Sequence, residues 1–382
     1  GLAVSYQEAR EIAEEIGYPV VVRPSYVLGG RAMEIVYSQD RLEYYMQHAV
    51  KASPEHPVLI DDFLSDAIEI DVDAISDGQD VVIGGVMEHI EEAGIHSGDS
   101  ACSLPAFSLS PETINEIKIQ TCALARELKV IGLINIQFAV KDETIFIIEV
   151  NPRASRTIPF VSKTIGVPLA KIAARVMAGK SLKELGFTKE ITFSHIAVKE
   201  SVFPFNKFQD VDVLLGPEMK STGEVMGIDT QFGRAFAKSQ LATGVKLPRE
   251  GTAFISVKDS DKQKTVVIGK GLLELGYHLI ATQGTANYLK KNGVEVTPIN
   301  KFKEGSPHIV EAIEAKEVSI VINTVFGEQS IKDSFSLRRS SLNQNLPYCT
   351  TMAGALALLG ALKAIKEDDL TITSIQEYGA KI

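Results

Sequence analysis

Leu133-Ile-Asn-Ile-Gln-Phe-Ala-Val140 and Ile145-Phe-Ile-Ile-Glu-Val-Asn-Pro-Arg153 flank the short stretch Asp142-Glu-Thr144. The two runs read as strands of one hairpin. With a three-residue loop, Lys141 pairs with Ile145, Ala139 with Ile147, Gln137 with Glu149 and Asn135 with Asn151. Gln137, Glu149 and Asn151 then share one face. Oxygen-bearing side chains gathered there suit a hard cation such as Mg²⁺, which leaves positions open for phosphate oxygens. A solvated sheet face is the plainer alternative. Arg153 and Arg156 follow at once, and guanidinium groups pair with phosphate.

Outward from this hairpin the first 180 residues alternate strands with helices, an α+β pattern. Ser5 with Glu8 suggests a capping box opening a helix. Tyr18 to Arg23, Ala32 to Tyr37, Val58 to Phe63, Ala67 to Ser76 and Val81 to Glu88 read as strands. In Ala67 to Ser76, Glu69, Asp71 and Asp73 fall on one parity, which predicts a half-buried strand with an acidic face. Pro111 to Leu128 reads as a helix. Arg23-Pro-Ser-Tyr-Val-Leu-Gly-Gly-Arg31 places two glycines between strands, either a plain turn or a lid whose backbone N–H groups approach phosphate. Glu88-His-Ile-Glu-Glu-Ala-Gly-Ile-His-Ser-Gly-Asp-Ser100 crowds titratable side chains without apolar periodicity.

Residues 181–245 are less regular and read as a connecting section with a helix near Phe232 to Leu241. Thr243 to Gly251 suits a linker. Beyond it strands and helices alternate: Thr252 to Val257, Lys262 to Glu274, His278 to Ala281, Thr285 to Asn292, Val294 to Ile299, His308 to Ala315, Ser319 to Asn323, Ser330 to Asn343 and Met352 to Ala364. That spacing predicts an open parallel α/β sheet, which binds ligands beyond the carboxyl ends of its strands. Leu279-Ile-Ala-Thr-Gln-Gly-Thr-Ala286 is a strand end, a turn and a helix start. Thr282, Gly284 and Thr285 there, with Lys262 and Lys301, outline a phosphate pocket. Simple helix capping by Thr285 is the alternative.

The chain has 382 residues, 45% hydrophobic and 23% charged, which is ordinary globular usage for two or three domains. Its 39 basic and 49 acidic residues give a net charge of −10, and its pI is near 5.4. Nucleic acid and anionic membranes are therefore not expected partners. Three widely spaced cysteines, Cys102, Cys122 and Cys349, form no disulfide or zinc pattern and point to the cytoplasm. The sequence opens at Gly1 inside a helical pattern, and so reads as a piece of a longer polypeptide.

The 23–31, 88–100 and 148–156 stretches closely resemble the C-terminal half of the carbamoyl-phosphate synthase large subunits. Pro204-Phe-Asn-Lys207, Gly216-Pro-Glu-Met219 and Ser221-Thr-Gly-Glu-Val-Met226 extend the resemblance, which covers essentially the whole chain. It implies a partial α+β ATP-grasp unit over 1–180, consisting of the larger grasp subdomain without its N-terminal subdomain. The connecting section 181–245 and an α/β methylglyoxal-synthase-like allosteric domain over 246–382 follow. It also implies ATP-dependent phosphorylation of carbamate, feeding pyrimidine and arginine synthesis, with ATP, Mg²⁺ or Mn²⁺ and K⁺ as cofactors. The implied partners are the rest of the large subunit and a glutaminase small subunit. The fragment alone is expected to fold but to be catalytically silent, and a non-catalytic effector-binding module is the alternative reading of it.

By the same resemblance, Arg23, Gly29, Gly30, Asp62, Leu64, Glu69, Gly94, Ile95, His96 and Ser97 would surround ATP. Gln137, Glu149 and Asn151 would hold the metal, Gln137 and Glu149 also touching the nucleotide, and Arg153 and Arg156 would be catalytic. Ser256, Lys262, Thr282, Thr285, Lys301 and Asn323 would bind a nucleotide effector such as UMP or IMP. Val325 departs from the threonine usual there, which affects one hydroxyl contact. His89, Glu91, Asp99, Glu200, Tyr348 and Thr350 would bind ornithine.

Overall fold

The computed structural model describes residues 1–25, 30–48, 57–208 and 211–380. Three sheets organise the described residues. The first is antiparallel and ordered Leu2–Ala3, Val58–Asp62, Val20–Pro24, Glu34–Val36. Helices Tyr6–Ile16 and Gln39–His48 accompany it. Ser5 caps the first helix by accepting from Glu8 N at 3.3 Å. Val20, Val22, Val58 and Ile60 point into a separate small core with Ala9, Ala13 and Leu42. Strand period then turns Val21 and Arg23 the other way, onto a cleft.

The second sheet has seven antiparallel strands, ordered Gly223–Asp229, Ile196–Val202, Cys102–Leu104, Val81–His89, Ile68–Asp77, Ile131–Lys141, Thr144–Asn151. Two separate apolar clusters include residues of this sheet, one with Ile75, Met87 and Val161 and one with Ile70, Ile134 and Phe138. The small lobe stands across the cleft from the sheet. Residues 1–62 supply the opposing wall, with their own sheet and core.

Detail is added or changed at three places. The 181–245 section adds strands Ile196–Val202 and Gly223–Asp229 to the large sheet. Ile68–Asp77 is a central strand, so its acidic parity is not solvated: Asp71 and Asp73 are both buried. The hairpin turn has two central residues, Asp142 and Glu143, both with positive φ, and a bulge after Gln137 restores the register. Gln137 still faces Glu149 and Asn135 still faces Asn151.

The third sheet is wholly parallel, ordered Thr297–Pro298, His278–Ala281, Thr252–Ser256, Ile320–Asn323, Tyr348–Cys349. In chain order this is 3-2-1-4-5, so the winding reverses between Thr252–Ser256 and Ile320–Asn323. The strand expected over 294–299 shrinks to Thr297–Pro298, and the helix expected over 330–343 divides into Glu328–Asp333 and Phe335–Asn343.

Helix Phe232–Thr243 packs on helix Met352–Glu367, and Ala235, Phe236 and Ala237 join the core of the parallel sheet. The fully buried Arg338 forks onto Asp212, with its Nε 2.7 Å from Oδ1. These contacts couple the two parts of the chain. A Cβ at Gly233 would lie 2.5 Å from the Gly360 carbonyl oxygen, which is backbone and cannot swing aside. Gly233→Ala is expected to cost about 1–3 kcal/mol through forced helix separation. Urea denaturation measures it, and an unchanged midpoint would show that the helices part without strain.

Candidate functional site

The cleft between the small lobe and the large sheet encloses 460 Å³. Arg23, Gly30, Asp62, Leu64, Glu69, Gly94, Ile95, His96, Ser97, Gln137, Glu149, Arg153 and Arg156 all line it. Gly29 lies outside the described residues. Asn151 is buried opposite Asn135 and is not among the lining residues.

The loop after Val81–His89 forms one wall and is tied down repeatedly. Gly94 N donates to Glu69 Oε1 at 3.1 Å, and His96 N donates to the Gly216 carbonyl at 2.8 Å. Gln137 Nε2 donates to Ser97 Oγ at 2.9 Å. That bond turns one end of the amide to the loop and leaves its oxygen available. Two glycines permit close passage. A Cβ at Gly30 would meet the Pro217 carbonyl oxygen at 1.9 Å, and one at Gly94 would meet the Phe63 ring at 2.5 Å.

Electrostatics below the cleft are set by buried carboxylates. His89 lies between Asp71, 2.9 Å from its Nε2, and Glu69, 3.2 Å from its Nδ1. Burial opposes the imidazolium, but bonds to Asp71 and Glu69 prevail and raise His89 to about 9. Asp71 is held below its ordinary value: burial acts against its charge, and His89 outweighs it. Asp73 is pushed up to about 6 by burial, against three hydrogen-bond donors. His96 is lowered, chiefly by burial.

Above this floor stand the groups facing the cleft. Glu149 is exposed, and no hydrogen bond or ion pair engages it among the described residues. A free carboxylate opposite an amide oxygen is a donor set that suits a hard divalent cation. Arg156 reaches Ser221 Oγ at 3.2 Å and Glu224 at 3.6 Å. Arg23 pairs with Asp61 at 3.3 Å. The cleft thus brings guanidinium groups and oxygen donors together, an arrangement that can orient a polyphosphate.

Sequence reasoning missed Asp61, Phe63, Pro217 and Glu224 as lining residues. It also missed Lys199, fully buried, whose Nζ donates to the Ser97 carbonyl at 3.3 Å. Only tertiary packing brings Lys199 and Ser97 together from so far apart in sequence.

A second cavity of 1020 Å³ opens beyond the carboxyl ends of the parallel strands. Ser256, Lys262, Thr282, Thr285, Lys301 and Asn323 all line it. Thr282 starts helix Gln283–Lys291 without a side-chain cap bond and instead meets Ser256 Oγ at 3.2 Å. Lys262 Nζ, paired with Asp259 at 2.6 Å, stands near Gly284 at that helix start. Tyr37, Phe63 and Ala93 also line this cavity, and Phe63 and Ala93 line the first cleft too.

Several of the six residues expected around ornithine already have partners. His89 is engaged as above. Asp99 accepts from the Lys220 and Ser221 backbone, each at 2.8 Å. Tyr348 OH accepts from Asn323 Nδ2 at 2.9 Å, and Thr350 follows the edge strand Tyr348–Cys349. Glu91 and Glu200 do come together. Burial pushes both carboxyls up, and Glu91 adds to the rise at Glu200.

Comparison with known proteins places these sites in context. Residues 1–185 match the family model "Carbamoyl-phosphate synthase L chain, ATP binding domain", and residues 264–350 match "MGS-like domain". The chain is 58% identical over 379 residues to the carbamoyl phosphate synthase large chain of Myxococcus xanthus, covering 99% of this chain and 35% of that relative. It is 55% identical to the large chain of Methanobrevibacter smithii, with 99% and 36% covered. It thus spans about a third of the length of the curated relatives it matches. The biotin carboxylase domain of Hydrogenobacter thermophilus 2-oxoglutarate carboxylase superposes with a TM-score of 0.52 at 20% identity, over 63% of this chain and 60% of that one. Campylobacter jejuni biotin carboxylase gives 0.51 at 17%, with the same coverage. Those two likenesses concern the fold alone, ATP-grasp for the first part, while the parallel sheet is that of an MGS-like domain. Matching the large-chain ATP-binding-domain model and the MGS-like model, and its relatives along nearly its whole length, the chain belongs to the carbamoyl phosphate synthase large-chain family.

Proposed function

We propose that this chain phosphorylates carbamate with ATP, the step that yields carbamoyl phosphate. The observation that best supports this is the meeting of Glu149, Gln137, Arg153 and Arg156 in one two-walled cleft. Leu64 offers apolar surface for the base, and Glu69, fixed by His89 and Gly94 N, can accept from ribose hydroxyls. A carbamate oxygen attacks the γ-phosphorus, and the bond to the β-phosphate oxygen breaks. ADP leaves with that electron pair. Arg153 and Arg156 neutralise charge on the transferring group, which is most of what this chemistry asks of a protein. When bound, Mg²⁺ would neutralise phosphate charge, with Gln137 and Glu149 as its oxygen donors; the same set suits Mn²⁺. K⁺ belongs to the same proposal.

The domain limits that accompany this reading are 1–180, 181–245 and 246–382. Ammonia for carbamate would come from a glutaminase subunit, and the remainder of the large subunit would supply carbamate. Pyrimidine and arginine synthesis would consume the product. The fully described helices include none long and apolar enough to cross a membrane, and the three cysteines are unpaired, which supports a cytoplasmic setting.

For the second cavity we infer a nucleoside monophosphate of the UMP or IMP kind. Lys262 and Lys301 supply charge, and the helix start at Thr282 supplies backbone donors. Glu91 and Glu200 support an ammonium-bearing amino acid such as ornithine between the two parts, since a cation would relieve their repulsion.

Glu149→Gln is expected to abolish ATP formation from MgADP and carbamoyl phosphate while the fold is kept. Near-normal ATP formation would remove Glu149 from the reaction. A chain unable to make ATP at all would leave the effector-binding reading in its place.

UMP should bind this chain far more tightly than uridine, and Lys301→Ala should weaken UMP by about ten- to hundredfold, as loss of a charge-assisted bond implies. Calorimetry reads both, and equal affinity for uridine would place the phosphate elsewhere.

Glu200→Gln carries a sign. A raised carboxyl keeps its proton longer in the folded state, so stability falls as pH rises from the usual carboxylate range through the raised value. The variant should therefore lose less Tm than the parent between about pH 5 and about pH 8. Parallel curves would show that the Glu200 carboxyl is not raised in the folded state.

A further inference from the structure

We propose that Asp73 is a positioning residue for the loop bearing the two arginines, acting on Arg156 through the hydroxyls of Ser155 and Thr157. The proposal rests on reading the cleft as a phosphoryl-transfer site. Asp73 is wholly buried in the central strand Ile68–Asp77 and does not line the cleft. Its Oδ1 accepts from Ser155 Oγ at 2.7 Å and from Asn135 Nδ2 at 3.0 Å. Its Oδ2 accepts from Thr157 Oγ1 at 2.5 Å. Ser155 and Thr157 also meet each other at 2.7 Å. One carboxylate therefore grips the residues on both sides of Arg156.

The helix that follows gives an independent sign. Thr157 is the N-cap of helix Ile158–Thr164, a position where threonine ordinarily accepts from a backbone N–H of the first turn. Here it makes no such bond. Its backbone is helical (φ −74°, ψ −15°), and its hydroxyl donates to Asp73 Oδ2. Beyond the loop, the Arg156 guanidinium contacts Met219 Sδ at 2.8 Å, Ser221 Oγ at 3.2 Å and Glu224 at 3.6 Å. The sheet fixes the backbone of the loop, and those contacts fix the guanidinium. Misplacement of a positioning group by a fraction of an ångström is enough to slow a transfer that depends on alignment.

Two measurements on the full chain test this. In ATP formation from MgADP and carbamoyl phosphate, Asp73→Asn should lower kcat by about 10- to 100-fold with the KM for ADP held within about twofold. Ser155→Ala should lower kcat less, and the double variant should be no slower than Asp73→Asn alone, because both act through one bond. Near-normal kcat in Asp73→Asn, fully additive losses, or an equal rise in the KM for ADP would overturn the proposal.

The second measurement does not depend on activity. The Arg156 Nε–H resonance, identified by its loss in Arg156→Lys, should move in Asp73→Asn. Should the parent chain make no ATP, the function proposed for the cleft fails, and this resonance alone decides: displaced, it supports the positioning role, and unmoved, it overturns it. Should Asp73→Asn not fold, Ser155→Ala combined with Thr157→Val is read by the same two criteria.

Discussion

Two carboxylates in the middle of a seven-stranded sheet are the constraint around which the large lobe is arranged. Burying a charge is costly unless it is paired and hydrogen-bonded. Asp71 meets this through His89 and Asn135, and Asp73 through Asn135, Ser155 and Thr157. Satisfying them draws three elements together: the neighbouring strand Val81–His89, the opposite strand Ile131–Lys141 and the loop after the hairpin. The cleft floor is the surface that results. His89 carries its proton because carboxylates stand on both sides of it.

How much of this could be read beforehand depends on the range of the interaction. Period-2 alternation located the strands, and Gln137 opposite Glu149 was legible from the hairpin. That pairing survived two compensating errors. The turn has one residue fewer than expected, and the bulge at Gln137/Phe138 puts one back. Positive φ at Asp142 and Glu143 is not written in their side chains, since neither is glycine. The acidic parity of Ile68–Asp77 was visible, but not its burial, because the partners that permit burial lie up to 84 residues away. The strands at Ile196–Val202 and Gly223–Asp229 were hidden for a similar reason: they are separated by an irregular stretch and acquire order only by adding to an existing sheet edge. Cys102–Leu104 is too short to show periodicity at all.

The parallel domain was more legible. Its strands alternate with helices at regular spacing, and its chain order places the reversal of winding beside Ser256 and Asn323. Residues at strand ends then collect in one place whatever their separation along the chain. Short edge pieces such as Tyr348–Cys349 were the part that local pattern did not reveal.

The shared partition between the two cavities has a thermodynamic consequence. Phe63 and Ala93 each border both spaces, and the Tyr37 ring, on the second, meets Phe326 edge-on at 5.2 Å. A guest in one space would touch residues that also border the other. Coupling of this kind is a property of the pair and has no preferred direction. The factor by which a guest in the distal space alters affinity at the cleft equals the factor by which a guest in the cleft alters affinity at the distal space.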